Sequence, residues 1–295
     1  MFQKIKPYMM PIAITVGSLF NTFFSSFSYL IPYLIFVMLF LTYSKIQWKN
    51  IRLSKVHLWL ILVQILGSVA VYLLVLPLNK TLAQGVMICI IAPTATAAPV
   101  ITAMLKGKVE SITAFSILSN ISVAFFAPLI FTSIGNSSVS FFQSVWEISQ
   151  KLFLVILIPL GSAFLLKIIS PKTSQFVGKY STVSFVFWVF ALAVVSGKTV
   201  SFIIAQNEGN LLTEIALAIG AMLVCIALFV TGKTLGSKYD DRIAAGQSLG
   251  QKNTVLVIWM AQTYLNPISS IAPGMYVLWQ NLFNSWQIWN QSKKK

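Results

Sequence analysis

The stretch Ala92–Val100, APTATAAPV, places two prolines six residues apart inside an otherwise apolar segment. A second stretch, Ala244–Val255, reads AAGQSLGQKNTV and puts glycine, glutamine and lysine in the middle of another apolar segment. Each unpaired backbone group is costly in hydrocarbon, so a broken helix survives in a membrane only where it is buried in protein or lines a cavity. The two stretches therefore predict a pair of broken helices at a binding site near the middle of a bilayer.

The whole chain has the composition of a membrane protein. Its 295 residues are 57% hydrophobic and only 9% charged, and its mean hydropathy is +0.82. A soluble domain carries about 25% charged residues, so lipid is the expected solvent for most of this chain. Because one span needs about 20 apolar residues, the sequence predicts ten transmembrane helices: Tyr8–Phe24, Tyr29–Ser44, Leu58–Leu76, Gln84–Leu105, Ser111–Ile134, Val145–Ile169, Thr182–Ile204, Leu211–Thr231, Ile243–Tyr264 and Pro267–Trp289.

The basic residues give the predicted orientation. The net charge is +15, and most Lys and Arg residues fall in loops that share one side when the amino terminus is cytoplasmic. That alternation is what the positive-inside rule predicts. The expectation is an all-α, multi-pass protein of the cell inner membrane, with both termini cytoplasmic and the lipid bilayer as its surroundings. The basic residues form no continuous face with interleaved aromatics, so nucleic acid is not an expected partner, and no obligate protein partner is inferred.

Ten spans divide into two halves of five, residues 1–140 and 141–295. An odd number of spans makes the two halves run in opposite directions through the membrane, within one integral unit. The interrupted segments are then the fourth and ninth, at matching places in the two halves. This arrangement is typical of secondary transporters.

Other functional classes receive less support. The only histidine, His57, is interpreted as a solvated residue of a basic loop, and the carboxylates lie at segment ends or in loops, so no catalytic residue is predicted. Cys89 and Cys225 lie in apolar segments without the spacing of a metal site. A passive channel stays open as an alternative, although channel filters usually come from several subunits.

Three stretches together resemble one known family. They are Leu60–Leu74 (LILVQILGSVAVYLL), Ala92–Glu110 (APTATAAPVITAMLKGKVE) and Gly250–Asn253 (GQKN). With the predicted helix count and the chain length, they resemble the bile acid:sodium symporter family, within the bile acid, arsenite and organic anion transporter superfamily. The resemblance implies inverted five-helix repeats, with helices four and nine broken and crossed. It also implies a core domain, a panel domain, and sodium-coupled transport of an amphipathic anion between them. Carriers of the same superfamily export arsenite or organic acids, so such an exporter is an alternative, and Cys89 before the first break is the thiol that arsenite would need.

The resemblance assigns roles to individual residues. Thr96 and Asn253 keep the threonine and asparagine of the family and would face the substrate. Gln64 matches a glutamine that helps to bind one sodium ion, and Ser116 can stand for a hydroxyl ligand of the other. The predicted substrate-binding set is Thr94, Thr96, Ser248, Lys252 and Asn253, and the predicted remnants of the ion sites are Gln64, Ser116 and Gln251.

The sequence departs from the family pattern where sodium would bind. Ala98 and Pro99 replace a serine–asparagine pair, Ser248 replaces a glutamate, and Lys252 replaces a glutamine. Sodium is a hard cation that needs several oxygen ligands, and these changes remove the only carboxylate. The replacements therefore weigh against sodium coupling, and neither a resident metal nor a cofactor is expected.

Lys252 itself is the most unusual residue of the predicted spans. A lysine near the middle of a bilayer costs about 2.5–3.5 kcal/mol on insertion scales and marks a functional site by default. We hypothesise that its ammonium replaces a sodium ion, either by neutralising helix ends at the crossing or by pairing with the anionic substrate. Desolvation also disfavours its charged form, so loss and gain of a proton, and hence proton coupling, stays open.

Overall fold

Helices form almost all of the regular structure of this chain, as its computed structural model shows. The structure describes residues 9–46, 51–135, 140–180, 183–205 and 211–293, and it has no β-strand within these ranges. In chain order the α-helices are α1 (Met9–Leu19), α2 (Asn21–Ser25), α3 (Ile31–Ser44), α4 (Lys55–Val75), α5 (Lys80–Ile91), α6 (Ala98–Met104), α7 (Val109–Ile134), α8 (Phe141–Leu152), α9 (Ile158–Ile169), α10 (Pro171–Lys179), α11 (Val183–Ala205), α12 (Leu211–Ser237), α13 (Arg242–Gly250), α14 (Thr254–Tyr264) and α15 (Ile271–Ser292).

The helices are long and apolar enough for a multi-pass membrane protein. Among the residues that the structure describes, five continuous helices qualify as spans by length and composition: Lys55–Val75, Val109–Ile134, Phe141–Ile169, Val183–Ala205 and Leu211–Ser237. Three shorter apolar helices accompany them, namely Ser28–Ser44, Lys80–Ile91 and Thr254–Tyr264. Two of the shorter helices are halves of the interrupted segments, which is why they fall below the length of a span. The total of ten spans and the inverted repeats stay predictions.

Contacts divide the chain into two compact units. One consists of Met1–Ile46 and Glu147–Asn210, and the other of Gln47–Trp146 and Leu211–Lys295. Each unit therefore takes residues from both predicted halves of the sequence. The two units are defined by contacts, whereas the two predicted halves are defined by an internal repeat. The contacts therefore do not test the repeat boundary near residue 140, which stays a prediction.

In the first unit, two helices approach each other closely through glycine. A Cβ atom on Gly17 of α1 would overlap the carbonyl oxygen of Ala193 in α11, and one on Gly197 would lie 2.9 Å from the carbonyl oxygen of Gly17. Small residues let membrane helices pack backbone to backbone, where van der Waals contact is the main attraction. Glycine at these positions is thus a packing requirement.

The second unit contains both interrupted helices. Its apolar core gathers side chains from α4, α5, α7, α12, α13 and α15, including Leu60, Phe115, Phe229 and Tyr276. Helix α13 lies directly against α12. The two are so close that a Cβ atom on Gly232 or Gly236 of α12 would overlap backbone atoms of Ala245 or Asp241 in the α13 segment. The core thereby holds α13, the first half of the second interrupted segment, in a fixed position.

Candidate functional site at the helix crossing

Both predicted interruptions are present. The first segment breaks between α5 and α6, where Ala92 leaves the helical conformation (φ −42°, ψ 132°) and Pro99 lies in the first turn of the next helix. The second breaks between α13 and α14, where Gln251 is extended and Asn253 caps the following helix. Proline lacks a backbone N–H, so it is accommodated in an extended segment or at a helix start. Proline thus explains the first break, whereas the second has no proline and follows Gly250 at the end of α13.

The two breaks hydrogen-bond to each other. The Ala95 N–H donates to the Gln251 carbonyl at 2.9 Å, and the Asn253 N–H donates to the Pro93 carbonyl at 2.8 Å. Between these bonds, Thr94 and Lys252 form an isolated antiparallel bridge. The unwound backbones therefore satisfy groups that would otherwise be unpaired away from water. In this sense the two interruptions form one crossing.

The Lys252 side chain lies inside this crossing. It is 1% exposed, and its Nζ donates to the carbonyl oxygens of Ile90 at 2.8 Å and Ala92 at 2.9 Å. These carbonyls belong to the last turn and cap of α5, where the helix dipole places partial negative charge. Lys252 forms no ion pair with a carboxylate in the part of the chain that the structure describes. Its charge is therefore stabilised by helix-end carbonyls.

Gln64 completes the end of α5 from the neighbouring helix α4. Its Nε2 donates to the carbonyls of Ile91 at 2.8 Å and Ala92 at 3.0 Å, and its Oε1 accepts from Ser119 Oγ at 2.9 Å. Ser119 Oγ in turn accepts from the Thr94 N–H at 3.3 Å. A buried amide and a buried lysine thus share the carbonyls that end the first half-helix.

The end of α13 is closed in the same way by side chains. Thr94 Oγ1 donates to the Ser248 carbonyl at 2.9 Å, and Tyr276 Oη donates to the Gly250 carbonyl at 2.9 Å. Gln280 holds the backbone of Lys252, accepting from its N–H at 2.8 Å. Sequence reasoning does not assign Tyr276 and Gln280 to the site, because they lie on α15, far from either motif in the chain.

This arrangement leaves little for sodium to bind. A sodium ion would need free oxygen ligands, yet the carbonyls of Ile90, Ile91 and Ala92 already accept from Lys252 and Gln64. The residues at the α5 end fit a bound ammonium and do not fit a sodium ion.

The predicted site residues separate into two groups by exposure. Thr96 and Asn253 keep part of their surface accessible, and Asn253 Oδ1 accepts from the Leu256 N–H at 3.4 Å as the cap of α14. The other predicted residues are buried, namely Gln64, Thr94, Ser116, Ser248, Gln251 and Lys252. At the crossing, Thr96 and Asn253 thus keep some accessible surface, whereas Lys252 and the residues predicted as ion-site remnants are enclosed.

Neither cysteine is accessible at the crossing. Cys89 and Cys225 are both 1% exposed and lie in the apolar core cluster, and both are free thiols. A carrier that recognises arsenite through sulfur needs a thiol within reach of its substrate. The position of these thiols weighs against that alternative.

The interpretation of His57 as a solvated loop residue is wrong. His57 lies in the first turn of α4 and is 1% exposed. Its Nδ1 accepts from the Ser54 N–H at 3.2 Å, and its Nε2 lies 2.9 Å from Ser111 Oγ. Ser111 donates its single hydroxyl hydrogen to Asp241 Oδ2, so it accepts from His57, and the His57 proton is on Nε2. These hydrogen bonds join the first turns of α4 and α7 to Asp241 at the start of α13.

An open cavity of about 550 Å³ lies beside these helix starts, lined by Arg52, Ser54, Lys108, Glu110, Ser111, Tyr239 and Asp241. Burial raises the pKa of Asp241, while the Ser111 hydrogen bond and the Lys108 charge act in the opposite direction. Lys108 Nζ pairs with Asp240 Oδ2 at 2.9 Å, and that hydrogen bond raises the pKa of Lys108. Charges of both signs line this cavity, so it has no clear preference for an anion or a cation.

Comparison with known proteins agrees with the architecture. The family model described as "Sodium Bile acid symporter family" matches residues 30–206, which is more than half of the chain. The match includes the first interruption and ends before the second, so the second half of the crossing rests on the structure. No curated protein matches the chain.

Proposed function

Because the chain belongs to the Sodium Bile acid symporter family, a family of membrane transporters, we propose that it is a secondary transporter of an organic anion. The substrate binds beside the crossing of the two interrupted segments, and access to it alternates between the two sides of the membrane. Secondary transporters place substrate sites at paired broken helices near the bilayer midplane. The family match and the paired breaks support this function together.

Thr96 and Asn253 are the proposed substrate contacts. Both keep accessible surface at the crossing, and Asn253 stands at the amino-terminal end of the eleven-residue helix α14. A helix amino terminus carries partial positive charge and free N–H donors, which favour an anionic group. A hydroxyl, an amide and a helix start together suit the carboxylate of an organic acid.

Lys252 is proposed as the fixed cation of the site, in place of a coupling sodium ion. The observation that carries this proposal is the position of its Nζ, which donates to Ile90 and Ala92 at the end of α5. An ammonium there neutralises the partial charge of the helix end, as a bound ion would. We therefore expect transport without a sodium requirement.

The proposed setting is the inner membrane, with ten spans and both termini in the cytoplasm. The distribution of basic residues between the predicted spans supports this orientation. Fusions of a periplasm-active and a cytoplasm-active reporter after residues 80 and 108 would test it. We expect periplasmic activity at the first position and cytoplasmic activity at the second, and the reverse pattern would contradict the orientation.

A stability screen provides the first test of substrate class. A ligand that binds the folded state raises the apparent melting temperature by mass action. Purified protein is heated with bile salts, keto acids and vitamins, each with and without sodium. We expect at least one organic anion to raise the melting temperature equally in both conditions.

Uptake into proteoliposomes then tests the coupling. Wild type is expected to take up that anion equally in sodium and in potassium buffer, whereas Lys252→Gln loses most of the uptake. Lys198→Gln is the matched control, because it removes a lysine of α11 whose Nζ lies 5.6 Å from the centre of the Phe202 ring and bonds to no residue of the crossing. A sodium requirement in wild type would contradict the fixed-cation proposal. Uptake driven by an inward proton gradient, and lost in Lys252→Gln, would favour proton coupling through Lys252.

A further inference from the structure

The positive charge of Lys252 determines which steps of the proposed transport cycle move charge across the membrane. The ammonium is enclosed by protein, and its two acceptors are neutral carbonyl groups. No carboxylate in the described ranges pairs with it. The crossing therefore carries one positive charge when no substrate is bound.

The geometry also favours retention of that charge. Deprotonation would remove the positive charge that now faces the Ile90 and Ala92 carbonyls at the negative end of the α5 dipole. The Lys252 backbone is held on both sides as well, by the bridge to Thr94 and by the Gln280 side chain. With the backbone held, the Nζ atom could leave the helix end only by giving up both carbonyl bonds inside an enclosed site, so a fixed ammonium is the simplest state of the site.

We propose that the substrate is a monovalent organic anion, and that Lys252 makes the loaded site electrically neutral and the empty site cationic. This inference rests on the proposed transport function. Exchange of one monovalent anion for another then moves no charge in either direction. Net transport requires the empty site to change sides, and that step carries the Lys252 charge through the membrane field.

The sign of the voltage effect follows from this assignment. During net uptake into a vesicle, the loaded site moves inward without charge, and the empty site returns outward with one positive charge. A potential that is negative inside opposes outward movement of positive charge. It therefore slows net uptake and leaves exchange unchanged. A divalent anion would leave one negative charge uncompensated in the low-dielectric interior, which is unfavourable.

The test uses the empty protein, so it can be carried out before the substrate is identified. Wild type, Lys252→Gln and Lys252→Arg are reconstituted in planar membranes, and voltage steps are applied without any organic anion. We expect a transient charge movement in wild type and in Lys252→Arg, and its loss in Lys252→Gln. Lys198→Gln, which removes a different intramembrane lysine, is expected to keep the transient.

Radiolabelled cholate and pyruvate, both monovalent, are then tested for exchange in vesicles of the same protein. The anion that wild type exchanges should suppress the transient at saturation, and its exchange rate should not change with voltage. Wild type that exchanges either anion but gives no transient would overturn this inference and leave the proposed function intact. Persistence of the transient in Lys252→Gln would also overturn it. Failure to exchange any anion of the stability screen would instead count against the proposed function.

Discussion

Thr94 and Lys252 face each other as an antiparallel bridge at the point where two interrupted helices cross. The residues on either side complete the pairing, through the bonds from Ala95 to Gln251 and from Asn253 to Pro93. Each segment thus supplies the backbone partners that the other has lost by unwinding. The polar backbone groups at the crossing are thus paired inside the protein, while Thr96 and Asn253, the proposed substrate contacts, keep accessible surface.

Gln64→Leu should destabilise the protein. The change leaves the Ile91 carbonyl and the Ser119 hydroxyl without the partners they now have, at a cost of about 1–3 kcal/mol for each buried unpaired group. Thermal unfolding in detergent measures the effect. Ser68→Ala is the control, because Ser68 is also buried on α4 but bonds only to the Ile65 carbonyl of its own helix. Equal melting temperatures for the two variants would contradict the role given to Gln64.

Gly232→Ala should also lower the melting temperature, because its added methyl group would overlap the Ala245 carbonyl where α12 meets α13. We expect a loss of about 1–3 kcal/mol, as for other overpacked interiors. Gly274→Ala introduces the same methyl group on α15, where nothing lies within 4 Å. Since alanine favours a helix by about 1 kcal/mol over glycine, this control should be neutral or stabilising. A larger loss in Gly274→Ala than in Gly232→Ala would be inconsistent with the packing described.

Thr96→Val should weaken substrate binding while leaving the fold intact. Thr96 is partly accessible at the crossing, and one hydrogen bond to a charged group contributes about 1.5–3 kcal/mol, so affinity should fall roughly tenfold or more. Thr102→Val is the control one helix turn or more away, because the Thr102 hydroxyl is buried and unpaired in the described structure. Unchanged affinity in Thr96→Val would remove Thr96 from the site.

The stability of the protein should fall as pH rises through the titration of Asp241. Burial raises the pKa of Asp241 above its ordinary value of 3.8, so between these two values the folded state binds more protons than the unfolded state. Stability decreases with rising pH wherever the folded state binds more protons. Asp241→Asn should therefore remove this part of the pH dependence, as measured by melting temperature across the acid range. Glu110→Gln is the control at an exposed carboxylate of the same cavity, and it should retain the pH dependence of the melting temperature. If Asp241→Asn retained that pH dependence, Asp241 would be excluded as its source.

The sequence predicts the two breaks because proline and glycine act locally. Pro93 and Pro99 lie close together in one apolar segment, and a glycine-bearing polar run surrounds Lys252 in another. A single proline is not sufficient for a break, because Pro128 lies inside the continuous helix α7. Local sequence patterns cannot identify the side chains that contact these breaks from distant positions in the chain. Tyr276 and Gln280 reach the crossing from α15, which carries none of the motifs that mark the two breaks. The burial of His57 escapes sequence reasoning for the same reason, since it depends on Ser111, which is 54 residues away in the chain.

The burial of Lys252 can be expected from its place in a span, but its partners cannot. A lysine in an apolar segment predicts either a functional charge or a side chain that extends to the membrane surface. Which of the two occurs depends on whether acceptors lie within reach. The carbonyls of Ile90 and Ala92 become available only because the first segment unwinds beside the second.

Equilibrium binding of radiolabelled cholate and pyruvate to the purified wild-type protein, with sodium replaced stepwise by choline at constant ionic strength, tests the central claim most directly. If the Lys252 ammonium stands where a coupling cation would act, the dissociation constant of whichever anion binds should stay the same from zero to saturating sodium. An affinity that rises with sodium concentration would mean that a metal ion, and not Lys252, supplies the positive charge of the site.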